Sequence, residues 1–132
     1  AVDGDRVRPG VALVAPGDRH VTVVSGGALR LTTDPPQHGV RPSVDVTMRA
    51  CALAFAARCV GVVLTGMGRD GAVGLASIHA AGGRTIAQDQ GSSVVFGMPK
   101  AAIELGVVDE VASLSAMADA INRAMAVVRT AG

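Results

Sequence analysis

The chain has 132 residues, 49% of them hydrophobic and 17% charged, which fits one domain or a piece of a larger one and excludes intrinsic disorder. Twelve basic against eleven acidic residues leave a net charge of +1, without the cationic excess that nucleic acid requires. Phe55 and Phe96 are the only aromatic residues, which argues against a base-stacking platform.

In chain order, the first third reads as strands and turns. Val11 to Val14 is a short apolar run closed by Pro16 and Gly17. Val21 to Val24, the turn Ser25-Gly26-Gly27 and Leu29 to Thr32 form a hairpin signal. Asp34, Pro35 and Pro36 break the chain, and Pro42 precedes a helix predicted from Ser43 to about Arg58. Ser43 is suited to cap that helix, and Asp45 suits the positive end of its dipole. Its apolar residues nearly encircle it, which predicts a largely buried helix packed on a sheet. Gly61 to Thr65 reads as a buried parallel strand, followed by a glycine-rich turn and a helix from about Gly71 to Ala81.

Thr85 to Gln88 is the next strand, with a loop and a short strand through Val94 to Phe96. Pro99 opens a short helix that Gly106 stops, and Val107 to Val111 is a further strand. Ser113 or Ser115 caps a last helix through about Val128. Alternation of helix and strand predicts an α/β fold with a parallel sheet, plus an N-terminal β-hairpin. Cys51 and Cys59 fall on one predicted helix, about 12 Å apart along its axis, and cannot bridge within it. They read as reduced thiols of a cytoplasmic protein. No apolar run reaches membrane-spanning length; the longest, Ala50 to Ala57, ends at Arg58. No signal peptide is visible.

The chemically informative segment is Val62 to Gly74, where a strand runs through a glycine-rich turn into a helix. Sites in open parallel sheets form at such strand ends, and the free amides of the helix start attract negative charge. The spacing Gly66-x-Gly68-x-x-Gly71 matches a dinucleotide fingerprint, and Asp89 follows where a ribose-binding acid is expected. Asp70 argues against that reading, because a carboxylate in the loop repels a pyrophosphate. Asp70 itself reads either as a helix cap or as a carboxylate that orients a histidine in a Ser-His-Asp triad, with nearby amides as an oxyanion hole.

The segment LTGMGRDGAVGL resembles the C-terminal catalytic domain of the chemotaxis protein-glutamate methylesterases. The resemblance continues through RTIAQDQGSSVVFGMPKAAIELGVVDEV and, upstream, through DGDRVRPGVALVAPGDRHVTV and RPSVDV, covering about Asp3 to Leu114. It implies a doubly wound, mostly parallel sheet with helices on both faces. It also implies hydrolysis of γ-glutamyl methyl esters on the cytoplasmic domains of chemoreceptors, with glutamine deamidation in some members. An N-terminal receiver domain usually restrains the esterase, and no cofactor or metal is implied.

By position in the motif, Asp70 resembles the triad aspartate and Met67 the residue whose backbone N–H contributes to the oxyanion hole. Gly66, Gly68 and Gly71 let the backbone make the turn. Arg69 reads as a solvated charge, and Phe96 to Pro99 as packing near the cleft. The family's nucleophilic serine and its histidine, in a Gln-His-Met-Pro-like stretch, lie upstream of everything matched.

The expectation is therefore that residues 1–132 are the C-terminal portion of one methylesterase domain and lack its serine, its histidine and the receiver domain. The start at Ala1 rather than Met fits a trimmed polypeptide. Alone, such a chain is expected to be inactive, and an incomplete sheet would favour self-association. The competing expectations are a non-catalytic, esterase-like binding module and a dinucleotide-binding domain. Among the histidines, His38 reads as a solvated loop residue, His20 as a residue near the cleft but not the base, and His79 as a surface helix residue. None has metal-ligand spacing with other ligands.

Overall fold

The structure, a computed structural model, describes residues 1–130. Strands β1 (His20–Val23) and β2 (Leu29–Thr32) form the expected antiparallel hairpin, with Val21 opposite Leu31 and Val23 opposite Leu29. The apolar run Val11 to Val14 forms no strand, and Val14 is exposed. The hairpin instead takes its further backbone partners from the first seven residues: Val7 donates to the Gly27 carbonyl and Leu29 to that of Asp5.

A parallel sheet follows, built from β3 (Val60–Val63), β4 (Arg84–Gln88) and β5 (Glu110–Ala112), in that spatial order. Helices α2 (Ala72–Ala80) and α3 (Met98–Glu104) cover one face, and α4 (Met117–Arg129) covers the other. The alternation along β3 explains this: Val60 and Val62 pack with Ile86, Ala120 and Ala124 toward α4, whereas Val63 packs with Ala72, Leu75 and Ala102. The fold is α/β, with helices on both faces of a parallel sheet and an added hairpin, as the sequence predicts. Among the described residues β3 pairs on one side only.

Three expectations need correction. Helix α1 (Val44–Phe55) does pack on a sheet, but on the two-stranded hairpin and not on the parallel one, and it is less buried than expected: it lies between β1 and α2, and Leu53 is 89% exposed. The apolar encirclement is served from two sides, by β1 and by α2, and leaves the third side open. No regular strand forms over Val94 to Phe96, where a single bridge joins Phe96 to Gly66. Strand β5 starts later than predicted because Val107 and Val108 pack into the core beside α3.

The cysteines also differ from expectation. Helix α1 ends at Phe55, and the chain reverses at Ala56 (φ 49°) through a short 3-10 turn, so Cys59 lies outside the helix, just before β3. The neighbouring thiol lowers the pKa of Cys51 and, with burial, raises that of Cys59.

Candidate functional site

The site forms where β3 ends and the chain turns through Leu64 to Gly71 into α2. Gly71 has φ 101° and Gly68 φ 89°, left-handed conformations that side chains other than glycine rarely adopt. Gly66 does not share that role. It lies against Met98 instead: a Cβ there would come within 2.5 Å of Met98 Sδ, so that flexible side chain would have to move.

The turn is fastened to the Val94–Pro99 segment. Gly66 donates to the Val95 carbonyl (3.0 Å), and its own carbonyl accepts from Gly97 and Met98 (3.1 and 2.9 Å). Thr65 Oγ1 donates to the Val95 carbonyl and accepts the Val95 amide. A Cβ on Gly97 would meet the Gly66 carbonyl oxygen at 2.8 Å, so the glycine of the VFGMP motif is fixed by contact with the turn. Met67 stands at the tip with its side chain 86% exposed. Its amide makes no hydrogen bond among the described residues.

Asp70 is only 8% exposed, and it does not cap the helix that follows it. Its carboxylate reaches the start of α1. Oδ1 accepts from Ser43 Oγ (2.8 Å) and from the Asp45 amide (3.0 Å), and Oδ2 accepts from the Val44 amide (2.7 Å). Asp45, fully buried, returns the arrangement: its Oδ1 accepts from the Gly71 and Gly74 amides of α2 (2.9 and 2.7 Å). Each helix is thus capped by an aspartate from the start of the other. Ser43 does not cap its own helix as predicted, and Asp45 serves the dipole of α2.

Two histidines complete the cluster. A two-residue turn with His38 (φ 52°) and Gly39 (φ 76°) brings His38 Nε2 to 2.8 Å from Asp45 Oδ2. His38 keeps the exposed loop position expected of it, but the left-handed turn also folds its ring onto a buried carboxylate, a contact the sequence did not show. Because a carboxylate only accepts, Nε2 carries the hydrogen. His20 is 1% exposed, with Nδ1 3.2 Å from the Ser43 amide and Nε2 3.0 Å from the Pro35 carbonyl. Those partners fix the neutral tautomer with hydrogen on Nε2, and both nitrogens are engaged. His79 is exposed on α2, beside Asp109.

His38, Asp45 and Asp70 offer potential metal-ligand atoms within 4.8 Å of one another. Their oxygens are already engaged by amides, a hydroxyl and the imidazole, which makes the cluster a hydrogen-bond network. A dinucleotide meets a similar obstacle: the amides at the start of α2 that would receive a pyrophosphate are held by Asp45. Asp89 folds back on its own loop, accepting from the Ser92 amide and hydroxyl (3.0 and 2.5 Å), and these bonds hold its carboxyl below the usual carboxylate range. Arg69 is exposed and, with His38, Ala72, Val73, Ala101, Glu104 and Leu105, lines an open groove of about 440 Å³ beside the turn.

The family model described as CheB methylesterase matches residues 1–121. The chain belongs to this family. Its similarity to the protein-glutamate methylesterase/protein-glutamine glutaminase of Symbiobacterium thermophilum is 51% identity over 122 residues, covering 92% of this chain and 34% of that protein. The Pyrococcus abyssi protein of the same description is 49% identical over 135 residues, covering all of this chain and 37% of that one. The crystal structure of the Thermotoga maritima CheB methylesterase catalytic domain superposes with a TM-score of 0.86 at 38% identity, over 89% of this chain and 64% of that one. The chain thus spans about a third of the length of the curated CheB relatives it matches. No helix among its described residues is long and apolar enough to cross a membrane.

The sequence singles out Asp70, Met67 and the glycines as site candidates, but it does not show that Ser43, Asp45, His20 and His38 join Asp70 in one hydrogen-bonded cluster. The helix-start pattern at RPSVDV was the available signal, but it does not say which helix an acid serves. The close crossing of α1 and α2 depends on Gly74, whose added Cβ would lie 2.7 Å from Met48 Cβ and 3.0 Å from Asp45 Cα. Gly→Ala inside a helix ordinarily stabilises by up to about 1 kcal/mol. Here Gly74→Ala should destabilise by about 1–3 kcal/mol in urea unfolding; an unchanged or raised midpoint would contradict this packing.

Proposed function

We propose that residues 1–132 form the C-terminal portion of a methylesterase catalytic domain and supply the acidic member of a Ser-His-Asp triad, Asp70. The observation that carries this reading is the buried Asp70 carboxylate, sited at the end of a parallel strand inside a motif shared with the family. Serine and histidine come from outside this chain. The histidine removes the serine hydroxyl proton, and the serine oxygen attacks the carbonyl carbon of a γ-glutamyl methyl ester. The Met67 amide, which has no partner among the described residues, donates to the oxygen that becomes negative. The histidine then protonates the departing methoxide, methanol leaves, and water hydrolyses the acyl-enzyme by the same route. The same machinery acting on a glutamine side chain releases ammonia.

Asp70 orients the histidine and stabilises its imidazolium without itself taking the proton. A carboxylate has about four acceptor positions. Three of those on Asp70 are filled, two on Oδ1 and one on Oδ2, so Oδ2 keeps one for an imidazole N–H. The substrate is the methylated cytoplasmic domain of a chemoreceptor, and a receiver domain is the partner that restrains access.

Methanol release from methylated receptor tests this reading. The isolated chain should release none above background. In the complete catalytic domain, Asp70→Asn should lower kcat on the order of 10⁴-fold, as in the protease triad. A loss below tenfold would reduce Asp70 to a helix cap.

A further inference from the structure

We infer that Ser43 is a positioning residue for Asp70, held in place by His20, and that the pair sets how Asp70 presents its free acceptor position. The inference rests on the triad reading of Asp70 given above. Ser43 is 1% exposed, and its hydroxyl donates to Asp70 Oδ1 at 2.8 Å. This is the one donor to Asp70 that comes from a side chain; the other two are the Val44 and Asp45 amides.

The three donors are unevenly arranged. Oδ1 is saturated by Ser43 Oγ and the Asp45 amide, whereas Oδ2 takes the Val44 amide alone. Saturation of Oδ1 directs an incoming imidazole N–H to Oδ2. Without the Ser43 hydroxyl, Oδ1 regains an acceptor position, and the carboxylate can offer the imidazole either oxygen in two ring orientations. Only one of these aims the far ring nitrogen at the serine.

His20 fixes the donor. Its Nδ1 accepts the Ser43 amide, and its Nε2–H is tied to the Pro35 carbonyl in the loop before α1. The Ser43 backbone is thereby pinned at its amide while its hydroxyl reaches Asp70. Its φ of −111° and ψ of 133° place the hydroxyl outside the helix, free to reach across to the neighbouring element. Ser43 spends its hydroxyl on Asp70 instead of on its own helix, whose first amides Asp70 caps. The arrangement is closed: Asp70 supplies the cap that Ser43 gives up.

The test is a double-mutant cycle in the complete catalytic domain, with methanol release measured per folded molecule and the folded fraction read from the thermal melt. Ser43→Ala should lower kcat roughly tenfold, the effect of losing one hydrogen bond to a charged group, with KM unchanged. In an Asp70→Ala background, Ser43→Ala should cause no further loss of kcat, because nothing remains to be positioned. Ser43→Gly, which keeps a residue suited to a helix start, replaces the alanine variant if that one does not fold. A kcat in Ser43→Ala within twofold of the parent, alongside severe loss in Asp70→Ala, would overturn this inference and leave the triad reading intact. An equal loss in both Asp70 backgrounds would likewise overturn it, since Ser43 would then be only structural. Asp70→Ala within tenfold of the parent would overturn the triad reading itself.

Discussion

Two carboxylates, Asp45 and Asp70, lie buried beside each other, and the rest of the structure is arranged around keeping both there. Two like charges at such range in a protein interior oppose folding. Here each is met by three donors: Asp70 by a hydroxyl and two amides, Asp45 by two amides and an imidazole. The amides belong to helix starts, so each charge also sits at the positive end of a dipole. The crosswise exchange leaves neither helix start short of partners and ties α1, which lies outside the parallel sheet, to α2, which lies on it.

The same exchange fixes where Asp70 stands. Asp70 must stand at the end of β3 with its carboxylate turned toward α1, which requires a left-handed residue at Gly71 and a helix crossing close enough for Gly74. The turn that carries it is held from the other side by Val95, Gly97 and Met98. Met67 is left at the tip, supported on both flanks. The result is a turn that presents one buried carboxylate and one amide without a partner among the described residues, the two groups that the proposed triad chemistry would take from this end of the sheet.

Local patterns were legible in the sequence and long-range pairings were not. The hairpin, the β3 strand and the turn into α2 are written in adjacent residues, as valine runs and glycine spacing, and the structure follows them within a few residues. The β5 shift arose because an apolar run such as Val107–Val108 signals burial without saying whether it is in a strand. Ser43 and Asp45 carry a helix-start signature that is correct for the backbone and misleading for the side chains: their acceptor and donors lie 25 to 29 residues away. The contact of His38 with Asp45 was hidden because it depends on two successive left-handed residues. Cys51 and Cys59 looked separated because the end of α1 at Phe55 is not marked by glycine or proline.

Amide hydrogen exchange tests the crosswise exchange most directly. In the parent chain the amides of Val44, Asp45, Gly71 and Gly74 should all be protected. Replacing Asp70 by alanine should speed exchange at Val44 and Asp45, which lose their acceptor. It should also speed exchange at Gly71 and Gly74, whose acceptor Asp45 is chemically unchanged but no longer held by its own amide. Faster exchange confined to Val44 and Asp45 would mean that the two caps act independently, and would contradict the account.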